Sequence, residues 1–268
     1  MKVLKNRVAV VTGAALGMGK NLSEMLIREG CKVALVDVNK EALKQTQEEL
    51  AARGECASFI CDISDRKAVY GLAEKITKQM GPVSILVNNA GIVKAAPVST
   101  MDDDTIERII AINLTSQFWT CKAFLPGMSG LDEAHIVNYA SAGGILALPN
   151  IAAYCASKFG VVGFSDSLRQ EMKKQGLNIG VTVVCPNTVN TGMFRGSKMV
   201  TGTSMLTAEG VNKNVMKAIK KNRAMVAVPS VPVKFLTPLT KVLFTINGMD
   251  RLNKFLGMWD ANDTWTGR

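Results

Sequence analysis

Ser141, Tyr154 and Lys158 are of types and at spacings suited to moving a proton. Tyr154 and Lys158 stand four positions apart in Tyr-Cys-Ala-Ser-Lys. On a helix that spacing stacks them on one face, a turn apart. A phenol is a poor acid and a poor base near neutrality, its unperturbed pKa being about 10. An ammonium beside it favours the phenolate, lowers that pKa and makes Tyr154 a usable general acid or base. Ser141 follows the apolar run 135–140. At the end of a strand its hydroxyl can hydrogen-bond the oxygen of a carbonyl or alcohol that Tyr154 protonates or deprotonates. Asn113 lies inside a long helical pattern marked by Ile106, Ile109, Ile110 and Leu114, where Asn is a mildly poor fit. It either kinks the helix by bonding to the backbone or holds a catalytic water.

A surface Tyr beside a solvated Lys has the same spacing, so the pair needs its surroundings to carry weight. Residues 7–12 form an apolar run without alternation, as a buried parallel strand does. They lead into Thr12-Gly13-Ala14-Ala15-Leu16-Gly17-Met18-Gly19 and then a helical pattern through Leu22, Met25 and Leu26. Strand, glycine turn and helix together set a pyrophosphate against backbone N–H groups at a helix start. The glycine spacing differs from Gly-x-Gly-x-x-Gly, and a tight strand-to-helix turn alone would also use it. The next strand, 32–37, ends in Asp37, eighteen residues after Gly19. A carboxylate there accepts hydrogen bonds from the adenosine ribose and repels a 2′-phosphate. With no Arg or Lys in the glycine turn, NAD is favoured over NADP; a simple cap on the next helix is the competing role for Asp37. A third strand, 56–61, ends in Asp62, placed to meet the adenine, and a fourth, 83–87, runs into Asn88-Asn89-Ala90-Gly91. Strands and helices alternate with short links, which predicts a doubly wound parallel α/β sheet.

Together with Pro186 and Thr191 after the strand 181–185, these motifs resemble those of the short-chain dehydrogenase/reductase family, over about residues 5–194. The resemblance implies one Rossmann-like domain over residues 1–268, with a substrate lid at 189–223 and a C-terminal tail at 229–268. It implies Asn113, Ser141, Tyr154 and Lys158 as catalytic residues, Lys158 also binding the nicotinamide ribose and Asn113 holding a water that links Lys158 to solvent. Cofactor contacts are implied for Gly13, Gly17, Met18, Gly19, Asp37, Asp62, Ile63, Asn89, Ala90, Gly91, Tyr154, Lys158, Pro186, Thr188, Val189 and Thr191, with Asn88 holding the central loops. Ser141, Gly143, Leu148, Tyr154, Met193 and Phe194 are the implied substrate contacts. Asn187 departs from the family, which has Gly after the Pro; Asn tolerates the left-handed backbone that Gly would adopt. The helices carrying Asn113 and Tyr154 would build a homodimer or homotetramer.

Composition narrows the partners. The net charge of +10 is uneven: residues 195–268 hold 12 basic and 4 acidic side chains. A basic region suits an anionic substrate, lipid or nucleic acid, but no nucleic-acid motif accompanies it, and none is expected as a partner. His135 is the only histidine and the six cysteines show no Cys-x-x-Cys, so no metal site is expected. The cysteines read as reduced core residues of a cytoplasmic protein, with Cys155 closest to the chemistry. The N-terminal run is too short for a signal peptide or span. Met193, Phe194, Met199, Met205 and Leu206 suggest an adaptable apolar lining, faced by a nearly uncharged wall from Ala142 to Pro149, with Arg195 or Lys198 in reach of an anionic group. Phe235, Leu236, Leu239, Val242, Leu243 and Ile246 fall on one helical face opposite Lys234 and Lys241. Such a segment docks on its own domain or a partner subunit, or lies peripherally on a membrane. The tail, through the closing residues 262–268, resembles that of the retinol and 17β-hydroxysteroid dehydrogenase branch.

The function expected is NAD-dependent interconversion of an alcohol with a ketone or aldehyde on a fairly large apolar substrate. A 3-oxoacyl thioester reductase is one alternative, disfavoured by Asp37. A non-catalytic dinucleotide sensor or scaffold is another, disfavoured by the intact Asn113, Ser141, Tyr154 and Lys158.

Overall fold

The computed structural model describes residues 1, 3–199, 204–230, 233 and 246–267, the last stretch starting with backbone alone at Ile246 and Asn247. The apolar runs become seven strands: β1 Val8–Thr12, β2 Lys32–Asp37, β3 Cys56–Ile60, β4 Val83–Asn88, β5 Ala134–Tyr139, β6 Ile179–Pro186 and β7 Met225–Val228. The helices are α1 Gly17–Arg28, α2 Lys40–Ala51, α3 Arg66–Met80, α4 Asp103–Ile110, α5 Ser116–Ser129, α6 Ala152–Lys174, α7 Ala208–Lys221 and α8 Ile246–Phe255. All strand pairs are parallel, in the order β3-β2-β1-β4-β5-β6-β7. Successive side chains of a strand point to opposite faces. Ala9 and Val11 therefore join Leu22, Leu43 and Val215 of α1, α2 and α7 in one layer, while Val8 and Val10 join Ile76, Phe124 and Leu168 of α3, α5 and α6 in the other. Both faces are covered, which is why the strands read as unbroken apolar runs. No helix among the described residues is long and apolar enough to cross a membrane.

Three sequence expectations change. The long helix around Asn113 is two helices, α4 and α5, joined by a π-helical turn at Ala111–Thr115. Only part of 189–223 lies over the site, because Val211, Val215 and Ile219 bury α7 against α1 and the sheet. The left-handed turn at Asn187 is absent: among the described residues, the non-glycine residues with positive φ are Asn6, Asn150 and Asn222. Asn187 instead donates its N–H to Val228 O at 2.8 Å, continuing the β6–β7 pairing. The apolar face expected from Phe235 to Leu243 lies outside the described residues.

Candidate active site

The strand order reverses at β1. The connections on its two sides wind in opposite directions, which opens a crevice at the carboxyl ends of β1 and β4. Residues that follow those two strands line it: Gly13 and Ala15 to Met18 after β1, and Asn89 to Gly91 after β4. A Cβ on Gly19 would lie 2.0 Å from Gly13 O and 2.6 Å from Asn89 Nδ2, so only glycine lets α1 start this close to the turn. Leu16, at the N-cap of α1, supplies no side-chain cap. No side chain there competes for the first-turn N–H groups, as an anion-binding helix start requires. Asn89 pins the turn, donating through Nδ2 to Thr12 O at 3.0 Å and Gly13 O at 3.1 Å.

Asn88, the neighbour of Asn89, holds the centre of the sheet together. Its Nδ2 donates to Asn138 Oδ1 at 2.9 Å and its Oδ1 accepts from Thr120 Oγ1 at 2.7 Å, tying β4 to β5 and α5. Neighbouring residues at a strand end point to opposite sides, so only one of the two amides can reach the turn.

Asp37 borders the crevice, and its carboxylate accepts from the N–H of Ala15 at 3.1 Å and of Asn39 at 3.0 Å. It is not the cap of α2; Asn39 is, accepting from Ala42 N. Among the described residues lining this crevice there is no Lys or Arg. Asp62 accepts from Ser64 N–H at 2.9 Å and Ser64 Oγ at 2.6 Å, and the serine hydroxyl holds its carboxyl below the usual range. Ile63 and Val189 bury their side chains in the two core layers and are not among the residues lining the crevice. Pro186 ends β6, Thr191 lines the crevice, and Thr188 lines the neighbouring pocket.

Ser141, Tyr154 and Lys158 come together, the last two on one helix face as their spacing predicts. Tyr154 and Lys158 are both buried on α6. A Cβ on Gly143 would sit 3.5 Å from both Ser141 Oγ and Tyr154 Cε1, which brings those two side chains to one spot. Ser141 Oγ accepts from Gly143 N–H at 3.0 Å. Lys158 Nζ donates to Tyr139 O at 2.9 Å and lies 5.6 Å from the Tyr154 ring centroid. Asn113 staples the loop after β4 to α6: its Oδ1 accepts from Ile92 N–H at 2.8 Å, and its Nδ2 donates to Ile92 O at 2.9 Å and Ser157 Oγ at 3.1 Å. The π-turn aims that side chain, as π-bulges often do at functional sites. A Cβ on Gly91 would lie 3.2 Å from Asn113 Oδ1 and 3.4 Å from Lys158 Nζ, so Gly91 joins the same group.

The electrostatics differ from the simple Tyr–Lys picture. Burial pushes the Tyr154 phenol up to about 12, with the Ser141 hydroxyl opposing. Burial also brings Lys158 down to about 8. Both charged forms lose solvation in the same dry region, and that loss outweighs the help each could give the other. Tyr154 is therefore a protonated donor at neutral pH, and Lys158 keeps its charge below about 8. Cys155 lies beside them, and burial raises its thiol pKa, so it stays a thiol. A further network supports the group from behind: Tyr139 Oη donates to Asn212 Oδ1 at 2.5 Å, while Asn212 Nδ2 donates to Met18 O at 2.9 Å. It ties α7 to the glycine turn and to the strand whose carbonyl holds Lys158.

A pocket of about 910 Å³, open mouth included, adjoins Ser141 and Tyr154. Ala142, Gly143, Ile145, Leu146 and Leu148 line it, as does Phe194, whose ring meets that of Tyr154 edge-on with centroids 5.8 Å apart. Met193 borders the dinucleotide crevice instead of this pocket. Leu206 bridges to Val189 and packs on the core, while Met205 is exposed. The spacing of these apolar residues could not separate lining from core. Ile151, Met258, Ala261 and Asn262 were missed as lining residues. The last three come from chain far beyond the lid. Residues 261–267 clamp residues 193–198: Trp265 Nε1 donates to Met193 O at 3.0 Å, Thr266 N–H to Arg195 O at 2.8 Å, Thr264 Oγ1 to Gly196 O at 2.7 Å, and Lys198 N–H to Ala261 O at 2.8 Å.

Comparison with known proteins agrees with this geometry. Residues 7–199 match the family model described as short chain dehydrogenase. The chain is 36% identical to human estradiol 17-beta-dehydrogenase 11 over 244 residues, covering 90% of this chain and 81% of the relative. It is 32% identical to retinol dehydrogenase 10-B of Danio rerio, covering 96% and 83%. Among solved structures, a short chain dehydrogenase/reductase from Burkholderia phymatum in complex with NAD superposes with a TM-score of 0.83 at 26% identity, covering 91% of this chain and 98% of that one. With catalytic-type side chains, glycine turn and strand order all in accord with these matches, the chain belongs to the short-chain dehydrogenase family.

Proposed function

We propose that this protein is an NAD(H)-dependent oxidoreductase that interconverts an alcohol with a ketone or aldehyde on a fairly large apolar substrate. The observation that carries the reading is the meeting of Ser141 and Tyr154 on a largely apolar pocket, next to the glycine-turn crevice. The Gly13–Gly19 turn would hold the pyrophosphate, Asp37 the adenosine ribose, and Lys158 the nicotinamide ribose. A dinucleotide bound there would supply or take up the hydride exchanged with the reacting carbon. Ser141 Oγ orients the substrate oxygen, and Tyr154 Oη gives it a proton on reduction or takes one on oxidation. The charge on Lys158 favours the phenolate when Tyr154 has given up its proton. Asn113 holds the loop that carries Gly91 against α6.

Asp37 and the lack of Lys or Arg among the described crevice-lining residues support NAD over NADP. The NAD in the Burkholderia phymatum structure supports the same cofactor class. The estradiol and retinol dehydrogenases among the relatives support a lipophilic hydroxyl compound. Exposed Phe118 and Phe159, on α5 and α6, support a homodimer or homotetramer built on those helices. The test is a screen of steroids, retinoids and long-chain alcohols with NAD⁺ and NADP⁺ in parallel. At least one lipophilic alcohol is expected to reduce NAD⁺, with kcat/KM about tenfold or more above the value with NADP⁺. A preference for NADP⁺ removes the Asp37 argument, and failure across the screen removes the substrate class.

A further inference from the structure

We propose that the substrate carries an anionic group, a carboxylate or a sulfate, at the end remote from the reacting carbon, and that Lys198 receives it. The proposal rests on the alcohol/carbonyl reading above and narrows its substrate class.

Lys198 is the one Lys, Arg, Asp or Glu among the described residues that line the pocket. The other lining residues are apolar or neutral, among them Phe194, Ser197, Met258, Ile145, Leu146 and Leu148. Tyr154 is buried while Lys198 is exposed, so the pocket has its proton donor at the inner end and its cation at the mouth. The backbone of Lys198 is fixed, because its N–H donates to Ala261 O at 2.8 Å within the clamp. Its ammonium, by contrast, makes no ion pair among the described residues.

The carboxylates nearest in this part of the fold do not claim it. Asp263 accepts from Asn150 Nδ2 at 2.9 Å, and neither Asp260 nor Asp263 lines the pocket or pairs with Lys198. By sequence, residues 200–203 and 231–245 contain no Asp or Glu, and 234 and 241 are lysines. A lysine stem can lie along an apolar wall while its head stays in water. The lining therefore complements a molecule that is hydrophobic along its length, bears a hydroxyl or carbonyl at its inner end, and is anionic at its outer end. A wholly neutral steroid or retinoid would leave the cation without an ionic partner among the described residues.

The experiment compares long-chain ω-hydroxy acids with their methyl esters, and hydroxysteroid sulfates with the free steroids, using the full chain and NAD⁺. In the wild type the kcat/KM ratio of charged over neutral substrate is expected to be about ten, the scale of one charge-assisted hydrogen bond. Lys198→Met should bring that ratio to about one, Lys198→Glu should bring it below one, and rising salt should shrink it in the wild type. The Kd for NAD⁺, measured on all three proteins, separates a lost contact from a misfolded chain. A wild-type ratio at or below one, or a ratio that Lys198→Met leaves in place, overturns the role of Lys198 while the apolar-alcohol reading stands. Turnover of neither member of any pair overturns both.

Discussion

The two ends of the crevice are held by different kinds of contact. On the dinucleotide side, backbone groups of Thr12, Gly13 and Ala15, the Asn89 amide and the Asp37 carboxylate interlock directly at the ends of adjacent, doubly covered strands. On the substrate side, residues 193–198 are held by a segment some 70 positions later, as in the Trp265–Met193 bond with its separation of 72. A turn built into a sheet cannot move without disturbing strand pairing. A wall made of two clamped loops can change shape while the sheet stays as it is. The contrast explains how one cofactor site can serve enzymes with different substrates.

Substitutions that separate the two ends put that contrast at risk. The largest effect falls at the seam: Tyr154→Phe should lower kcat by about a thousandfold or more and leave the NAD⁺ Kd nearly unchanged. Stopped-flow turnover with a fluorescence titration checks both, and an unchanged kcat would end the proposed chemistry. Gly19→Ala comes next, since its Cβ would lie 2.0 Å from Gly13 O. It should weaken NAD⁺ binding by about a hundredfold or lower thermal stability, because backbone has to move. Gly196→Ala is the matching insult at the other end: φ is +81° and a Cβ would lie 2.2 Å from Thr264 O. Substrate KM should rise about tenfold with the NAD⁺ Kd unchanged; an equal rise in both would show that the ends are not independent. Trp265→Ala sharpens the boundary. Its indole N–H reaches the backbone of Met193, which borders the cofactor crevice. KM should rise several-fold, and the NAD⁺ Kd should rise by about twofold.

A pH-dependent effect on stability, not on either end of the site, belongs to the sheet beneath both. His135 is buried, bonds Thr182 Oγ1 through Nε2 at 2.8 Å, and has its pKa lowered by burial from 6.5 to about 3. As pH falls below 6.5 the unfolded chain takes up a proton that the folded chain refuses until about 3. Stability from this group is complete above 6.5 and declines across that window, by up to about 1.4 kcal/mol per pH unit. Denaturant melts at both ends of the window should show a shallower decline in His135→Gln, and an identical slope would mean that other groups set it.

The order of residues along the chain was enough to determine the strand–turn–helix units and the parallel sheet, which depend on short-range periodicity, and Tyr154 and Lys158 share a helix face by spacing alone. That Asn113 and Ser141 join them was implied by the family resemblance, not by any local period. The local pattern left a choice open where two roles look alike from nearby residues. Asn88 and Asn89 are adjacent amides, and the fold decides that Asn89 reaches the glycine turn while Asn88 ties β4 to β5 and α5. Asn187 suggested a left-handed turn, which pairing with Val228 makes unnecessary. The balance of charge was likewise out of reach: spacing places Lys158 beside Tyr154, while burial of both makes desolvation outweigh their attraction. The substrate wall was decided by tertiary structure alone. Met258, Ala261, Asn262 and Trp265 meet residues 193–198 through long-range contacts, and no periodicity in a chain records which distant loop will close over another.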